Sequence, residues 1–258
     1  MKPVIIIPTY IEKDNIQELI PGIRAAVNHP LDILVVDSAS PDGTANAVRE
    51  IQKKDKAVYL LEQKAKLGLG RAYLDGMQWV LERDYDCVFT MDADFSHHPK
   101  YLNGFLDAIQ SHDLVIGSRY VPGGGPENWP LLRRLLSRFA NGYAKALTGL
   151  PFEDLTSGFH CFRAPLLKKI LRYRIHTEGY AFLIELKFLA ILQGASFHEI
   201  PIIFGGRTKG DSKISKRVMF ESMLFVLTRS FQRGRIKKNL PKNKRETQTK
   251  AFAAKGLS

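Results

Sequence analysis

The sequence has very little cysteine, since Cys87 and Cys161 are the only two in 258 residues. A framework of disulfides is therefore excluded, and a reducing compartment is expected. Long apolar runs are also missing: the first one, within MKPVIIIPTY (1–10), stops at Pro8 and is too short for a signal peptide. No stretch approaches the roughly 18 apolar residues that a membrane span needs. We expect a cytoplasmic protein, or one held peripherally on the cytoplasmic face of a membrane.

Acidic residues are scarce relative to basic ones. Lys and Arg number 38 against 26 Asp and Glu, which gives a net charge of +12 and favours an anionic partner. The excess is concentrated in residues 207–250. A basic terminus of this kind is typical of a solvated, disordered tail, and next of a segment that binds nucleic acid or an anionic membrane. Nucleic-acid binding is the weaker hypothesis, because the aromatic residues are not interleaved with the basic run, and no nucleic acid is expected as a partner.

The glycine-rich fingerprints of nucleotide binding are absent or incomplete. The sequence contains no Gly-x-x-x-x-Gly-Lys P-loop. The stretch KLGLG (66–70) has Gly68 and Gly70 but lacks a third glycine, and it follows the third predicted strand rather than the first. Both the P-loop and the dinucleotide-binding interpretations are therefore rejected.

The first half of the chain alternates short apolar runs with stretches of helical periodicity. Strands are predicted over 4–7, 33–36, 58–61, 87–91 and 114–116. Strands that alternate with helices predict an α/β fold with a mainly parallel sheet. The second half is less regular, and there helices are predicted over 131–147 and 180–192 and a strand over 197–204.

Polar motifs follow three of the predicted strands directly. In open α/β sheets ligands bind at the carboxyl ends of the strands, which places 8–10, 37–38 and 92–94 along one edge. Asp92 and Asp94 are one residue apart, which suits a hard divalent cation, although aspartate is also common in turns after strands. His97 and His98 are more typical of the start of the next helix than of metal ligands.

Eight motifs in order carry a resemblance to a known family. They are PTYIEKDNI (8–16), VVDSASPDGT (35–44), KLGLGRAY (66–73), MDADFSHHPK (91–100), GSRYVPGGG (117–125), ENWPLLRRLLSR (127–138), DLTSGF (154–159) and RTKGDSK (207–213). Together they resemble the inverting glycosyltransferases of family 2, and specifically the polyprenol-phosphate (dolichol-phosphate) mannosyltransferase group. The resemblance implies a GT-A type, Rossmann-like domain that binds a nucleotide sugar. It also implies transfer of mannose from GDP-mannose to a polyprenyl phosphate, giving a β-linked lipid-phosphate sugar.

The resemblance assigns roles to residues motif by motif. It implies nucleotide contacts at Pro8, Tyr10 and Glu12, and base and ribose contacts at Val36, Asp37 and Ser38. It implies a sugar-diphosphate site with Mg²⁺ or Mn²⁺ at Asp92, Ala93 and Asp94, the two aspartates being the metal ligands. It implies an acceptor-phosphate pocket at Arg119, Arg133 and Ser137, and a cover over the phosphates at Arg207 and Lys213. Among all of these, the residues expected to act in catalysis are Asp94, Arg119 and Arg207.

Two residues depart from the family pattern. Ile11 stands where the usual Pro-Thr-Tyr-Asn-Glu has asparagine, and Ser38 stands where the second aspartate of an Asp-Asp pair is usual. The loss of that carboxylate removes a strong acceptor for base or ribose donors, so UDP-glucose remains an alternative donor. A hydroxyl acceptor is the other alternative within the family. His160, which follows Ser-Gly-Phe, is predicted to be a packed strand residue.

The charge around the second half of the site favours a phosphate acceptor. A hydroxyl nucleophile needs a positioned general base, whereas a phosphate monoester is largely dianionic near pH 7 and does not. Four basic residues inside the family-like motifs would help that dianion to approach a diphosphate leaving group, and they are Arg119, Arg133, Arg207 and Lys213.

The C-terminal part of the sequence carries an apolar stripe edged by lysine and arginine. Its members are Phe220, Met223, Leu224, Leu227 and Phe231. This predicts an amphipathic helix over 214–233 that contacts a membrane surface, a small membrane subunit or the protein's own core. The glycosyltransferase domain is accordingly predicted over 1–213, and a basic disordered tail over 234–258.

Overall fold

The computed structural model describes residues 1–175, 177–205 and 227. Within these residues the chain folds as an α/β protein. The strands are β1 (Pro3–Thr9), β2 (Asp32–Asp37), β3 (Val58–Glu62), β4 (Cys87–Thr90), β5 (Leu114–Ser118), β6 (Gly125–Pro126), β7 (His160–Arg163), β8 (Phe197–Pro201) and β9 (Ile203–Phe204). The helices are α1 (Lys13–Ala26), α2 (Thr44–Lys54), α3 (Leu69–Leu81), α4 (Leu102–Ala108), α5 (Leu131–Thr148), α6 (Ala164–Ile170) and α7 (Gly179–Leu192).

Seven strands form the central sheet, in the order β3-β2-β1-β4-β7-β5-β8. Every neighbouring pair is parallel except those of β7, which runs antiparallel to both β4 and β5. The predicted mainly parallel sheet is confirmed, and all five strands predicted in the first half are present. His160 lies on a strand, as predicted, but the sequence did not indicate that this strand enters the middle of the sheet.

The sheet is buried on both faces, and the sequence of β1 shows why. Successive side chains of a strand point to opposite faces, so a strand that is covered on both sides is apolar at successive positions along its middle. Val4 and Ile6 belong to one hydrophobic cluster, whereas Ile5 and Ile7 belong to the other. Helices therefore pack on both faces, and only the strand ends remain for a binding site.

The strand predicted over 197–204 is in fact two strands in two sheets. β8 pairs with β5, whereas β9 pairs with β6 in a separate two-stranded sheet. β8 ends at Pro201, which is paired with Ser118 of β5, and the hydrogen bonds change sheet at the next residue. The N–H of Ile202 makes the last bond to β5, donating to the carbonyl of Ser118 at 3.0 Å, whereas the carbonyl of Ile202 accepts from the N–H of Gly125 in β6 at 3.0 Å. This change of sheet carries Phe204 towards the candidate site.

Several sequence-based predictions fall on residues outside the described ranges. These are the positions of Arg207 and Lys213, most of the amphipathic helix predicted over 214–233, and the tail over 234–258. Leu227 is described, and it is helical and 46% exposed. Among the helices of the described residues, none combines the length and apolar character needed to span a bilayer.

Candidate active site

Three adjacent strands end in turns that hold a non-glycine residue at positive φ. The residues are Ala39 after β2 (φ 54°), Ile11 after β1 (φ 58°) and Phe95 after β4 (φ 62°). An L-residue in this left-handed region is strained by roughly 1–2 kcal/mol. Strain of this kind clusters at binding and catalytic sites. The shared edge of β2, β1 and β4 is therefore the candidate site, and it is the edge predicted from the sequence.

The strain at Ile11 gives a physical meaning to one departure from the family pattern. Asparagine tolerates the left-handed region, whereas a β-branched residue is an outlier there. The N–H of Ile11 donates to the Ser40 hydroxyl oxygen at 3.0 Å, which holds the strained backbone, and the side chain is 47% exposed. The isoleucine therefore lowers the stability of this turn without adding buried apolar area.

Replacing Ile11 by asparagine is expected to raise the free energy of unfolding by about 1 kcal/mol, because the strain is relieved. Urea denaturation measures the change. Ile11→Val is the matched control, since it keeps the branched Cβ and should leave stability unchanged. Equal stability of the Asn and Val variants would contradict this account of the turn.

The turn after β2 holds Asp37 in a dense set of hydrogen bonds. The buried carboxylate accepts from the Thr9 hydroxyl at 2.9 Å and from the Ser40 hydroxyl and N–H at 2.6 and 3.0 Å. Asp37 therefore ties the end of β1 to the turn after β2. In the strand ladder beside it, Pro8 is paired with Val36, and both are buried.

Ser38 takes part in a polar relay rather than replacing the missing carboxylate itself. Its hydroxyl donates to Gln63 Oε1 at 2.8 Å, and Gln63 Nε2 donates to Asp75 Oδ2 at 2.7 Å. Asp75 also pairs with Arg71 at 2.8 Å. A carboxylate is thus present two hydrogen bonds away from the position where the family pattern has its second aspartate.

The turn after β1 is fastened to the start of α2. The N–H of Glu12 donates to the Thr44 hydroxyl at 3.1 Å, and Glu12 Oε2 accepts from Asn15 Nδ2 at 2.6 Å. Tyr10 lies beneath a cation, since Lys66 Nζ is 3.9 Å from its ring centroid. Tyr10 and Glu12 therefore lie on a turn that is held from two sides.

The turn after β4, residues 92–96, carries the two predicted metal ligands and is called the acid turn. Asp94, which is 6% exposed, accepts from the N–H and the hydroxyl of Ser96 at 3.1 and 2.6 Å through Oδ1. Asp92 Oδ1 accepts from the Tyr73 hydroxyl at 3.0 Å. Ala93, between them, is buried. The two carboxylates are thus oriented by different neighbours, which allows them to have different roles.

The donor set of the acid turn suits a hard cation. Carboxylate oxygens are the ligands that Mg²⁺ and Mn²⁺ prefer. In the described part of the chain, no group of three or more His, Cys, Asp or Glu side chains is placed to hold a metal. A cation at Asp92 and Asp94 would therefore complete its coordination with other ligands, such as phosphate oxygens and water.

Tyr73 is a site residue that the sequence analysis did not single out. Burial raises the pKa of Tyr73 well above its ordinary value, and the Asp92 carboxylate raises it further. The hydroxyl therefore keeps its proton and remains a donor to Asp92. Its only signal in the sequence is its place at the end of the KLGLGRAY motif.

The two histidines of the acid-turn motif have separate structural roles. His98 caps the 3-10 turn Pro99–Tyr101, accepting from the N–H of Lys100 at 3.1 Å, so the predicted helix start is confirmed. His97 is buried, and its Nδ1 accepts from the N–H of Asp92 at 3.0 Å. Burial lowers the pKa of His97, which favours the neutral ring that this hydrogen bond requires. His97 therefore braces the acid turn.

The residues expected at the acceptor phosphate form a second cluster. The Arg133 guanidinium lies 4.1 Å from the Trp129 ring centroid, and that of Arg119 lies 5.8 Å from the same ring. The Tyr120 and Ser137 hydroxyl oxygens are 2.7 Å apart. Arg119, Arg133 and Ser137 are therefore brought together around two aromatic residues that belong to quoted motifs but were not singled out.

Arg119 differs from the expectation of a cation that faces a phosphate. It is buried, and its Nε and Nη2 donate to the two carboxylate oxygens of Asp154 at 2.7 Å each. Nη2 also donates to the Thr156 hydroxyl at 2.7 Å. Burial alone would raise the pKa of Asp154, but the guanidinium outweighs it and holds that pKa below its ordinary value. Arg119 thus anchors the loop 154–159 to the end of β5.

Phe204 joins the acid turn to the basic cluster. Its ring centroid lies 5.5 Å from that of His97 and 5.6 Å from that of Trp129, both edge-on. The Arg119 guanidinium lies 5.2 Å from the same ring. The two clusters therefore lie on one side of the sheet edge, around a single side chain.

The glycine turn before α3 accommodates a side chain of the protein itself. A Cβ at Gly68, where φ is 98°, would lie 2.6 Å from Glu178 Oε2. The N–H of Gly70 donates to that oxygen at 2.9 Å. These contacts explain the glycines without a dinucleotide, in keeping with the rejection of that fingerprint.

A buried lysine supports the loop beneath the basic cluster. Lys187 Nζ donates to the carbonyls of Leu155 and Ser157 at 3.2 and 2.8 Å, and it lies 2.8 Å from His160 Nε2. His160 Nδ1 is in turn 3.0 Å from the Thr90 hydroxyl. Burial lowers the pKa of Lys187 to about 7, and burial and Lys187 together hold the pKa of His160 well below its ordinary value.

This network predicts that stability rises with pH. Below about pH 6.5 the unfolded chain protonates His160, whereas the folded chain does so only at a much lower pH. Between about pH 7 and 10 the unfolded chain keeps the Lys187 proton, whereas the folded chain releases it. At these two groups the unfolded state binds more protons, so each contributes a free energy of unfolding that rises with pH by up to about 1.4 kcal/mol per unit. Above about pH 8.5 Cys161 contributes in the opposite direction, because burial raises the pKa of its thiol well above the ordinary value.

Urea denaturation at a series of pH values tests this prediction. Lys187→Met should remove the upper window, and His160→Gln the lower one. A difference in stability between the wild type and each variant that does not change with pH in the corresponding window would count against the network as described.

Comparisons with known proteins agree with the geometry. Residues 4–171 match the family described as Glycosyl transferase family 2. The chain is 40% identical over 226 residues to undecaprenyl-phosphate mannosyltransferase from Micrococcus luteus, covering 88% of this chain and 93% of that one. It is 41% identical over 227 residues to polyprenol monophosphomannose synthase from Mycolicibacterium smegmatis, covering 87% of this chain and 85% of that one.

Solved structures at lower identity share the fold. Glucosyl-3-phosphoglycerate synthase from Mycobacterium tuberculosis, crystallised with Mn²⁺, UDP and glucosyl-3-phosphoglycerate, gives a TM-score of 0.61 at 17% identity, over 89% of this chain and 80% of that one. The structure of the same enzyme with Mg²⁺ and UDP gives a TM-score of 0.61 at 18% identity, over 89% of this chain and 79% of that one. The GT-A type α/β fold expected from the motifs is confirmed. With its fold, its ordered motifs and its relatives in agreement, the chain belongs to glycosyl transferase family 2.

Proposed function

We propose that this enzyme transfers mannose from GDP-mannose to a polyprenyl phosphate, with inversion, to give a β-linked lipid-phosphate mannose. The observation that carries the proposal is the meeting of the acid turn and the basic cluster around Phe204. One cluster suits a sugar diphosphate with its cation, and the other suits a phosphate monoester. The two relatives at 40% and 41% identity bear names that specify mannose and a polyprenyl acceptor.

On the donor side, the turns after β1 and β2 would hold the nucleotide. Pro8, Tyr10, Glu12, Val36, Asp37 and Ser38 are the residues proposed to contact it. A guanine base presents N–H donors on its pairing edge, and the relay from Ser38 through Gln63 to Asp75 offers oxygen acceptors beside the expected base position. This arrangement favours GDP-mannose over UDP-glucose in spite of the missing second aspartate.

On the phosphate side of the donor, Asp92 and Asp94 would hold Mg²⁺ or Mn²⁺. Such a cation, when bound, neutralises the charge that develops on the departing diphosphate. We assign the principal ligand to Asp94, because two hydrogen bonds from Ser96 within the acid turn hold its carboxylate, whereas Asp92 is oriented by Tyr73 from α3. Asp92 would then position the sugar or ribose, and Ala93 would line the same contact. Arg207 and Lys213 would cover the phosphates from the late basic motif.

On the acceptor side, the phosphate itself is the nucleophile. Its dianion attacks the anomeric carbon without a general base, so no proton has to be removed in that step. Arg133 and Ser137 would bind its oxygens, and Arg119 would hold the surrounding loop through Asp154 while adding positive charge. The attack is in line with the leaving diphosphate, and the α-linked donor therefore gives a β-linked product.

The direct experiment incubates the purified chain with Mn²⁺, polyprenyl phosphate and a panel of radiolabelled nucleotide sugars. We expect label to enter the lipid from GDP-mannose and not from UDP-glucose. NMR of the product should show the β configuration. Retention of the α configuration, or transfer to a hydroxyl in preference to the phosphate, would overturn the proposal.

Arg133→Ala is expected to raise the KM for the acceptor at least about tenfold, because one charge-assisted contact to phosphate is lost. The KM for GDP-mannose should not change. Arg172→Ala, an exposed arginine away from the cluster, is the control. An unchanged acceptor KM in Arg133→Ala would remove this residue from the site.

The rate with the wild-type enzyme should also fall between pH 7 and 5 as the acceptor phosphate, with its second pKa of about 6, becomes protonated.

The proposed acceptor also sets the location of the enzyme. A polyprenyl chain resides in a bilayer, whereas a nucleotide sugar is dissolved in water. We therefore propose a peripheral position on the cytoplasmic face of a membrane. A membrane surface is the partner we propose, in preference to a small membrane subunit.

A further inference from the structure

Lys187 is the one lysine that is fully buried among the residues that the structure describes. It lies on α7, whose sequence GYAFLIELKFLAIL contains one other charged residue, Glu185. Lysine is almost never fully buried unless it is paired, because the removal of an ammonium group from water is costly. The partners of Lys187 therefore indicate what its charge does in the fold.

The partners of Lys187 belong to the loop 154–159, which we call the bridging loop, and to β7, the strand that follows it. Lys187 Nζ lies 3.2 and 2.8 Å from the carbonyl oxygens of Leu155 and Ser157, and 2.8 Å from His160 Nε2. The two carbonyl oxygens can only accept a hydrogen bond. Nε2 of a neutral histidine donates or accepts according to which ring nitrogen carries the proton.

Thr90 decides which nitrogen of His160 carries the proton. The Thr90 hydroxyl donates its single proton to the carbonyl of Gly158 at 2.7 Å. It must then accept from His160 Nδ1, which is 3.0 Å away. Burial and the neighbouring Lys187 hold the pKa of His160 well below its ordinary value, so the ring is neutral and Nε2 has no proton. All three partners of Lys187 are therefore acceptors.

Three acceptors match the ammonium form of lysine. An ammonium group has three N–H donors and a neutral amine has two, so loss of the proton leaves one acceptor without a donor. Hydrogen bonds from a charged donor are also roughly twice as strong as neutral ones. Burial lowers the pKa of Lys187 to about 7 against the opposing effect of the Asp154 and Glu199 carboxylates, and Arg119 adds to the lowering. The hold of Lys187 on the bridging loop therefore weakens as the pH rises above neutrality.

The bridging loop connects the two halves of the candidate site. On the acceptor side its first residue, Asp154, holds Arg119 through two hydrogen bonds of 2.7 Å. On the donor side its last residue, Phe159, stacks on His97 with ring centroids 4.9 Å apart. His97 Nδ1 in turn accepts from the N–H of Asp92 in the acid turn at 3.0 Å. A change in the shape of this loop would therefore reach both the arginine of the acceptor side and the acid turn.

We propose that Lys187 is a positioning residue for sugar transfer, because its ammonium group holds the bridging loop in the shape that both halves of the site require. Lys187 is fully buried and acts through Arg119 and His97. The inference rests on the proposed function, which assigns the acceptor side to Arg119 and the donor side to the acid turn. Transfer should decline as Lys187 loses its proton at high pH, whereas protonation of the acceptor phosphate causes the decline at low pH.

The pH profile of transfer tests this role. We expect kcat/KM for the acceptor to fall at least about tenfold between about pH 7 and 9 in the wild type, because a group with a pKa of about 7 loses nearly all of its proton over this range. Lys187→Met keeps the length of the side chain without its charge. It should lie at least about tenfold below the wild type at pH 7 and stay level up to pH 9. Lys53→Met, at a side chain that is 68% exposed on α2, is the control and should keep the wild-type profile.

NMR follows the proton on Lys187 and the bridging loop without any need for activity. In protein labelled with ¹³C at the lysine Cε, one resonance should titrate with a midpoint near pH 7 and be absent from Lys187→Met, whereas exposed lysines titrate near pH 10. The amide resonances of residues 155–158 should shift with the same midpoint in the wild type and not in Lys187→Met. His160→Leu removes one acceptor from the ammonium group, so the Lys187 midpoint should move to lower pH.

Each outcome decides a separate step. A Lys187 midpoint above about pH 9, or bridging-loop resonances that do not follow it, would overturn the inference. A wild-type profile that stays parallel to that of Lys187→Met between pH 7 and 9 would also overturn it, since Lys187 would then serve stability alone. If the wild type transfers sugar to no polyprenyl phosphate, the proposed function fails, but the NMR titration still decides whether the charge of Lys187 sets the loop.

Discussion

Replacing Asp94 by asparagine is expected to lower the rate of sugar transfer at least about a hundredfold, which is roughly 3 kcal/mol of activation free energy. The substitution keeps the shape of the side chain and its hydrogen bonds from Ser96, as the amide oxygen can still accept them. It removes the negative charge that a hard cation requires. The loss should therefore appear mainly in kcat, with a raised concentration of Mn²⁺ for half-maximal activity.

Two companion variants test whether the acids of the acid turn differ in role. Tyr73→Phe removes the donor that orients Asp92, so it should raise the KM for the donor sugar more than it changes the metal requirement. Asp107→Asn, on α4, is the matched control for a lost carboxylate. Turnover that is unchanged in the presence of EDTA would contradict the assignment of a metal to Asp94.

Replacing Arg119 by alanine is expected to lower the free energy of unfolding by about 3–5 kcal/mol, because Asp154 would be left buried and unpaired. Both side chains are almost completely buried, and the pair has two parallel hydrogen bonds of 2.7 Å. Lysine cannot reproduce this planar geometry, so Arg119→Lys should recover only part of the loss. Urea denaturation gives the values.

The double variant Arg119→Met with Asp154→Leu is the informative control. A buried pair replaced by apolar residues of similar volume is often nearly neutral, so the double variant should be more stable than Arg119→Ala. Simple additivity of the single substitutions would show that the pair does not couple. Far-UV circular dichroism gives the folded fraction of Arg119→Ala, and we expect activity to fall further than this fraction, because the positive charge beside the acceptor phosphate is also lost.

The sequence predicted the parts of the fold that depend on local pattern. The apolar runs of β1 to β5 and the helices between them are each visible within a short window, and all were found. The direction and neighbours of β7 were not predictable in this way, because its four residues pair with strands that lie 44 or more positions away. The division of 197–204 into β8 and β9 likewise depends on a partner, β6, in a distant loop.

The candidate site shows the same limit. The three turns at the strand ends followed from topology, and they lie on adjacent strands as expected. The partners of the site residues did not follow. Asp154 is 35 positions from Arg119, and Tyr73 is 19 positions from Asp92, so nothing in the local sequence relates them. A motif predicts that a residue matters, but its hydrogen-bond partner appears only in the folded chain.

The central position of β7 has a consequence for the order in which the chain assembles. Thr90 and His160 lie side by side in the sheet, yet they are 70 positions apart along the chain. During synthesis, β3, β2, β1 and β4 can pair before residues 160–163 are made. Until then, the edge of β4 that later pairs with β7 has no partner strand. Until these emerge, β5 has no strand through which to join the sheet, and an apolar edge stays open to other chains. At this stage of synthesis aggregation through the unpaired strand edge competes with completion of the sheet. It is the stage at which we expect chaperones to protect the chain most.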